Sequence, residues 1–99
     1  MDVRQVIRNY ILENFLFTDD QSAIEDDTSF LERGILDSVG ALEIALFLEQ
    51  SFGFVVPGNE MLPENLNSVN SLVRFVERKR KGNARAQHHS PAPVALVAG

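Results

Sequence analysis

A small all-α domain, a four-helix bundle with a long loop between its first two helices and a short third helix, is what this sequence predicts. Three observations lead there. Apolar residues recur at three- and four-residue spacing over 2–17 and about 68–81, and crowd a third helix-length stretch, 38–52, on nearly every side. The one β-like run, Phe54-Val55-Val56, has no second strand to pair with and reads as an extended loop plugging the core. With 99 residues the chain can build one core and not two.

The first helix, 2–17, carries Val3, Val6, Ile7, Tyr10, Ile11 and Phe15 on one face, with Arg4, Arg8 and Glu13 elsewhere. That stripe reads as core. The connection over 18–37 is long for a compact domain, yet Ile24, Phe30, Leu31, Ile35 and Leu36 can tie it down. Within it Ser29-Phe30-Leu31-Glu32 has capping-box spacing and predicts a single helical turn, which Gly34 can end in the left-handed conformation. Asp19, Asp20, Glu25, Asp26 and Asp27 lack the alternation and central glycine of a calcium loop. They read as a solvated acidic loop.

The second helix, 38–52, is apolar around nearly its whole circumference, interrupted by Glu43 and Glu49 and ended by Gly53. Such a helix is either the centre of the core or buries only one side at home and keeps the other for a partner. Pro57-Gly58 is a turn. Met61, Leu62 and Leu66 around Pro63 predict a short or broken third helix. Asn67 or Ser68 then caps a last helix, about 68–81, with Val69, Leu72, Val73 and Val76 on one face. Its end, Arg78-Lys79-Arg80-Lys81, complements the negative end of the helix dipole. From Gly82 periodicity is lost and prolines enter, so the sequence divides into a domain over 1–81 and a disordered tail over 82–99.

Composition narrows the function. Residues 1–80 hold all 14 acids but only seven of the nine bases, and the net charge is −5. An acidic body argues against nucleic acid and fits partners that present basic residues. The absence of cysteine excludes disulfides and thiolate sites. No secretory signal and no membrane-spanning run is visible, so a cytoplasmic protein is expected. Catalysis finds no support either. The only histidines lie in the tail, no glycine-rich phosphate loop follows a strand, and no cluster has metal-ligand spacing. No catalytic residue and no metal site is assigned.

One stretch stands apart: Gly34-Ile35-Leu36-Asp37-Ser38-Val39-Gly40-Ala41-Leu42-Glu43-Ile44. It runs from a glycine turn through an acid and a serine into the apolar helix, placing the Ser38 hydroxyl where unpaired N–H groups and the macrodipole favour negative charge. Asp37 and Ser38 either merely cap a helix, or Ser38 is the attachment point of a phosphate-linked group. The first option leaves a helical adaptor that docks proteins through the second helix.

This stretch resembles the phosphopantetheine attachment motif of acyl and peptidyl carrier proteins, whose core is Asp-Ser followed by an aliphatic residue. The likeness extends through Phe30-Leu31-x-x-Gly34, Phe52-Gly53, Val56 and Pro63-Glu64-Asn65-Leu66-Asn67-Ser68, and covers roughly residues 3–80. It implies that a phosphopantetheinyl transferase moves 4'-phosphopantetheine from coenzyme A onto Ser38, and that the arm's thiol carries an acyl or aminoacyl group as a thioester. The reactive sulfur then belongs to the cofactor, in keeping with a chain that has no cysteine. Asp37 would cap the helix and meet the transferase. Val39, Leu42, Glu43 and Leu46, with Met61 and Leu62, would form the docking face for an adenylate-forming ligase and downstream acyl-processing enzymes. Gly40, Gln50 and Ser51 stand where fatty-acid-synthase carriers often have acids. That departure leans toward a specialised acyl or aminoacyl pathway, with the carrier a monomer.

Overall fold

The computed structural model describes residues 2–89, with side-chain surroundings through Lys81. Four α-helices make up the fold: α1 (Val3–Ile11), α2 (Ser38–Phe52), α3 (Pro63–Leu66) and α4 (Val69–His89), with single 3-10 turns at Gln21–Ala23 and Gly58–Glu60. No strand occurs among the described residues.

Asp2 opens α1 by accepting the Arg4 N–H at 3.0 Å. The helix reaches the length its periodicity predicts, but its last turn, Leu12–Leu16, is a π-turn. Leu12 is fully buried there and Phe15 and Leu16 pack against the core. The wider turn lets three apolar residues of one short stretch turn inward. Phe17, at φ 55°, stops it with its N–H on the Leu12 carbonyl.

The core is assembled on α4, against which α1 and α3 lie and which α2 also touches. Ile7 and Ile11 of α1, Ile44 and Leu48 of α2, Leu66 of α3 and Leu72, Phe75 and Val76 of α4 meet there. Loops fill the remainder. Phe30, Ile24, Phe54 and Val56 are buried, and Phe54 meets Phe75 edge-to-face at 6.1 Å. Phe54 and Val56 plug the core as expected, whereas Val55 between them points to solvent.

The long loop is held by polar contacts as much as by its apolar anchors. Asp26 is not simply solvated: it takes Arg4 at 2.9 Å and Arg8 at 2.7 Å. Arg8 also donates to the backbone carbonyls of Gln21 and Ile24, and Arg4 to Asn70 of α4. The turn at 29–32 forms as its spacing predicts, Ser29 Oγ accepting the Glu32 N–H at 3.3 Å and Gly34 following at φ 74°. Of the two candidate caps for α4, Ser68 takes the role, accepting the Ser71 N–H at 3.0 Å.

The end of α4 differs from the sequence expectation. The helix continues through Gly82 to His89. One glycine costs only about 1 kcal/mol, the alanine, arginine and glutamine after it are good helix formers, and no proline comes before Pro91. The expected disordered tail is therefore helical over 82–89, and its remainder, 90–99, lies outside the described residues. Arg78 to Lys81 consequently sit mid-helix rather than at its negative end. Lys79 pairs with Glu60 at 2.7 Å, and Arg78 donates to Asn65 Oδ1 at 2.9 Å.

Candidate functional site

The site is built by the approach to α2. After Gly34 the chain folds back so that the Ile35 and Leu36 N–H groups both donate to the Phe30 carbonyl, at 2.8 and 3.1 Å. Phe30, Ile35 and Leu36 are all buried, which anchors the strap just ahead of the helix. Asn67 clamps it from the other side. Its Oδ1 accepts the Leu31 N–H at 2.8 Å, its Nδ2 donates to Ser29 Oγ at 3.1 Å, and its carbonyl accepts the Phe30 N–H at 2.8 Å.

Asp37 is the N-cap: extended, with Oδ1 accepting the Gly40 N–H at 2.7 Å. Ser38 is the first residue inside the helix and is exposed. Its hydroxyl caps nothing, so a capping role for this serine is excluded by geometry. The first-turn N–H groups of Ser38 and Val39 have no acceptor within the helix. A phosphate on Ser38 Oγ would lie beside them at the positive end of a 15-residue helix. An exposed primary hydroxyl flanked by free donors fits a phosphodiester-linked arm.

Gly40 holds this geometry in place. A Cβ at that position would stand 2.0 Å from the Ile35 carbonyl oxygen and 3.1 Å from Asp37 Oδ1. Only a residue without a side chain lets the first turn of α2 settle on the strap. Sequence reading missed both this and the Asn67 clamp. The signal for Gly40 was present, since an isolated glycine inside a helical pattern usually has a packing or functional reason. For Asn67 there was none, because its partners lie 36 and 38 residues away.

Of the two expectations for α2, the structure selects the one-sided helix. Gly40, Ile44, Ala45 and Leu48 face the core. Val39, Leu42 and Leu46 are 64, 52 and 46% exposed and share one row at three- and four-residue spacing, with exposed Glu43 beside them. Leu62, 41% exposed, precedes α3, whereas Met61 is partly buried and packs against the core. The row is steadied from behind. Tyr10 stacks on Phe47 at 3.8 Å and its hydroxyl donates to the Glu43 carbonyl at 3.2 Å. Burial, reinforced by the Glu43 charge, raises the Tyr10 pKa above its ordinary value.

The phosphopantetheine attachment site family model matches residues 5–76, from within α1 through the long loop, α2 and α3 into the first part of α4. The chain belongs to this family. It is similar to the D-alanyl carrier protein of Streptococcus suis strain 05ZYH33, 38% identical over 76 residues that cover 77% of this chain and 92% of the relative. The D-alanyl carrier protein of Streptococcus pyogenes serotype M5 is 36% identical over 73 residues, 72% of this chain and 91% of its own. That of Streptococcus uberis is 40% identical over 62 residues, 63% of this chain and 77% of the relative. The protein is a phosphopantetheine-carrying, non-catalytic carrier, worked on by a phosphopantetheinyl transferase and a loading ligase. When bound, 4'-phosphopantetheine supplies a thiol for thioester formation. Among the described residues no helix is long and apolar enough to cross a membrane.

Proposed function

We propose that Ser38 carries the phosphopantetheine arm and that the cargo is D-alanine, loaded by an adenylate-forming ligase. Supporting this reading is one coincidence. A chain similar along most of its length to D-alanyl carrier proteins presents a single uncapped hydroxyl, Ser38, at the start of α2. Asp37 fixes the helix start and presents its charge to the transferase. Val39, Leu42, Glu43 and Leu46 form the docking row, with Leu62 as its extension. Met61 contributes there mainly by supporting the surface from below. Acids around this row favour fast, salt-sensitive docking of basic partner enzymes. Adenylation and coenzyme A belong to the cytoplasm, and the reading places the carrier there as a monomer, since the site is complete within one chain.

The test is intact mass in two stages. Coenzyme A and a broad-specificity transferase should add one arm to the wild type and none to Ser38→Ala. ATP, D-alanine and a D-alanine–carrier ligase should then add one alanyl group to the armed protein. Modification of Ser38→Ala would reject the residue. Arm attachment with loading of other acids, and not of D-alanine, would reject the cargo.

A further inference from the structure

The charge of this carrier is divided along its length. Before Arg74 there are thirteen acids and three bases; from Arg74 onward there are six bases and one acid, Glu77. The fold gathers four of them, Arg74, Arg78, Arg80 and Lys81. An open groove of about 810 Å³ between the start of α1 and α4 is lined by Val3, Arg74, Glu77, Arg78, Arg80 and Lys81. Arg74, Arg78 and Lys81 are spaced four and three residues apart, a row about 10 Å long on the side of α4 away from Leu72 and Val76.

These cations are not consumed by the fold. The ion pairs of the described residues use Arg4, Arg8 and Lys79, so Arg74, Arg78, Arg80 and Lys81 meet no carboxylate within pairing distance. Arg78 meets the neutral Asn65 amide oxygen and the face of the Phe75 ring, neither of which cancels its charge. Arg74 and Arg78, like charges four apart on one helix face, oppose its stability, and Glu77, three residues after Arg74 and four before Lys81, offsets this only in part. Four bases still face one acid in this groove, and a local excess of charge that the fold does not neutralise points to a use outside it.

Position separates this groove from the serine. Arg80 lies 6.0 Å from the ring of Phe52, the last residue of α2, whereas Ser38 is the first. A helix of that length holds the two ends roughly 21 Å apart. Shape and charge then select the occupant. A plane of anionic headgroups brought up to these bases would also meet and repel the acidic remainder of the surface. A narrow acidic segment can enter, and carboxylates at four- and three-residue spacing on a helix match the cationic row.

We propose that the groove between α1 and α4 is a second docking surface that takes an acidic helical segment of a partner protein, leaving the Ser38 end of α2 free for another enzyme.

The test follows amide NMR shifts of the full chain titrated with an alanine-rich helical peptide of about 18 residues, long enough to hold helix alone, with glutamates at i, i+4 and i+7. The same peptide with glutamines and vesicles of phosphatidylserine and phosphatidylcholine are run alongside. Saturable shifts at Val3, Arg74, Glu77, Arg78 and Lys81 are expected with the glutamate peptide alone. Affinity should fall at least about tenfold as ionic strength rises from about 0.01 to about 1 M, where the Debye length shrinks from about 30 to about 3 Å. Arg74→Glu and Lys81→Glu should each weaken binding about tenfold, and Arg33→Glu, an equal charge change outside the groove, should not. All three positions are exposed, so circular dichroism should match the wild type. Absence of groove shifts, equal weakening by Arg33→Glu, or shifts produced by the vesicles and not by the peptide would overturn the proposal.

Discussion

Gly40→Ala sets two rules of helix stability against each other. Helix propensity alone favours alanine by about 0.5–1 kcal/mol over glycine in a helix interior. The structure opposes it. The new Cβ would lie 2.0 Å from the Ile35 carbonyl oxygen, where 3.0 Å is the practical floor, so the backbones must separate by about 1 Å at least. Neither side yields easily. Ile35 is buried and its N–H is bonded to Phe30, while the Gly40 N–H is held by Asp37 at 2.7 Å. Overpacking of this kind costs about 1–3 kcal/mol, which leaves a net loss of up to roughly 2 kcal/mol. Equilibrium urea unfolding reads it. With a slope of about 1 kcal/mol/M, the midpoint should drop by up to roughly 2 M at unchanged slope. The shift also disturbs the cap beside Ser38, so the rate of arm attachment should fall. Gly58→Ala is the control, since nothing lies within 4 Å of a Cβ there and its φ is not positive. A Gly40→Ala protein as stable as the wild type, with an unchanged attachment rate, would refute the close approach of α2 to the strap.

Other outcomes follow from the same contacts. Ser38→Ala should leave the unfolding free energy from urea titration within about 0.5 kcal/mol of wild type, because the hydroxyl caps nothing. Asp37→Ala should cost about 0.5–2 kcal/mol by the same measurement, because Asp37 is the cap. Asn67→Ala removes the partner of the solvent-accessible Leu31 N–H and should destabilise by about 0.5–1.5 kcal/mol, with amide exchange accelerating first at residues 29–36. The Tyr10 pKa is raised on folding, so its contribution is fully present below the ordinary value of 10.0 and is lost as pH climbs through the higher folded value. Urea midpoints of the unarmed protein should therefore decline more steeply at alkaline pH than those of Tyr10→Phe.

Much of the fold was legible because its signals are local. The α1 stripe, the Ser29–Glu32 turn, Gly34 and Gly53 at positive φ, and the Phe54–Val56 plug each depend on residues near one another in sequence. What was missed depends on distance along the chain. Asp26 was placed in a solvated loop, yet it closes on Arg4 and Arg8 from 22 and 18 residues away. Basic residues 78–81 read as a helix end because apolar periodicity is lost and prolines enter after Gly82, while the residues up to His89 sustain helix without that periodicity.

The sequence by itself determined four helices, an acidic body, and a serine at the mouth of an apolar helix, because periodicity and capping chemistry are written within a few residues. Which side of α2 is hidden was left to the tertiary structure. A helix apolar all round has no phase for periodicity to report, and only packing turned Ile44 and Leu48 inward and left Val39, Leu42 and Leu46 in solvent. The same packing pressed Gly40 onto the Ile35 carbonyl and handed the cap to Asp37, leaving Ser38 open.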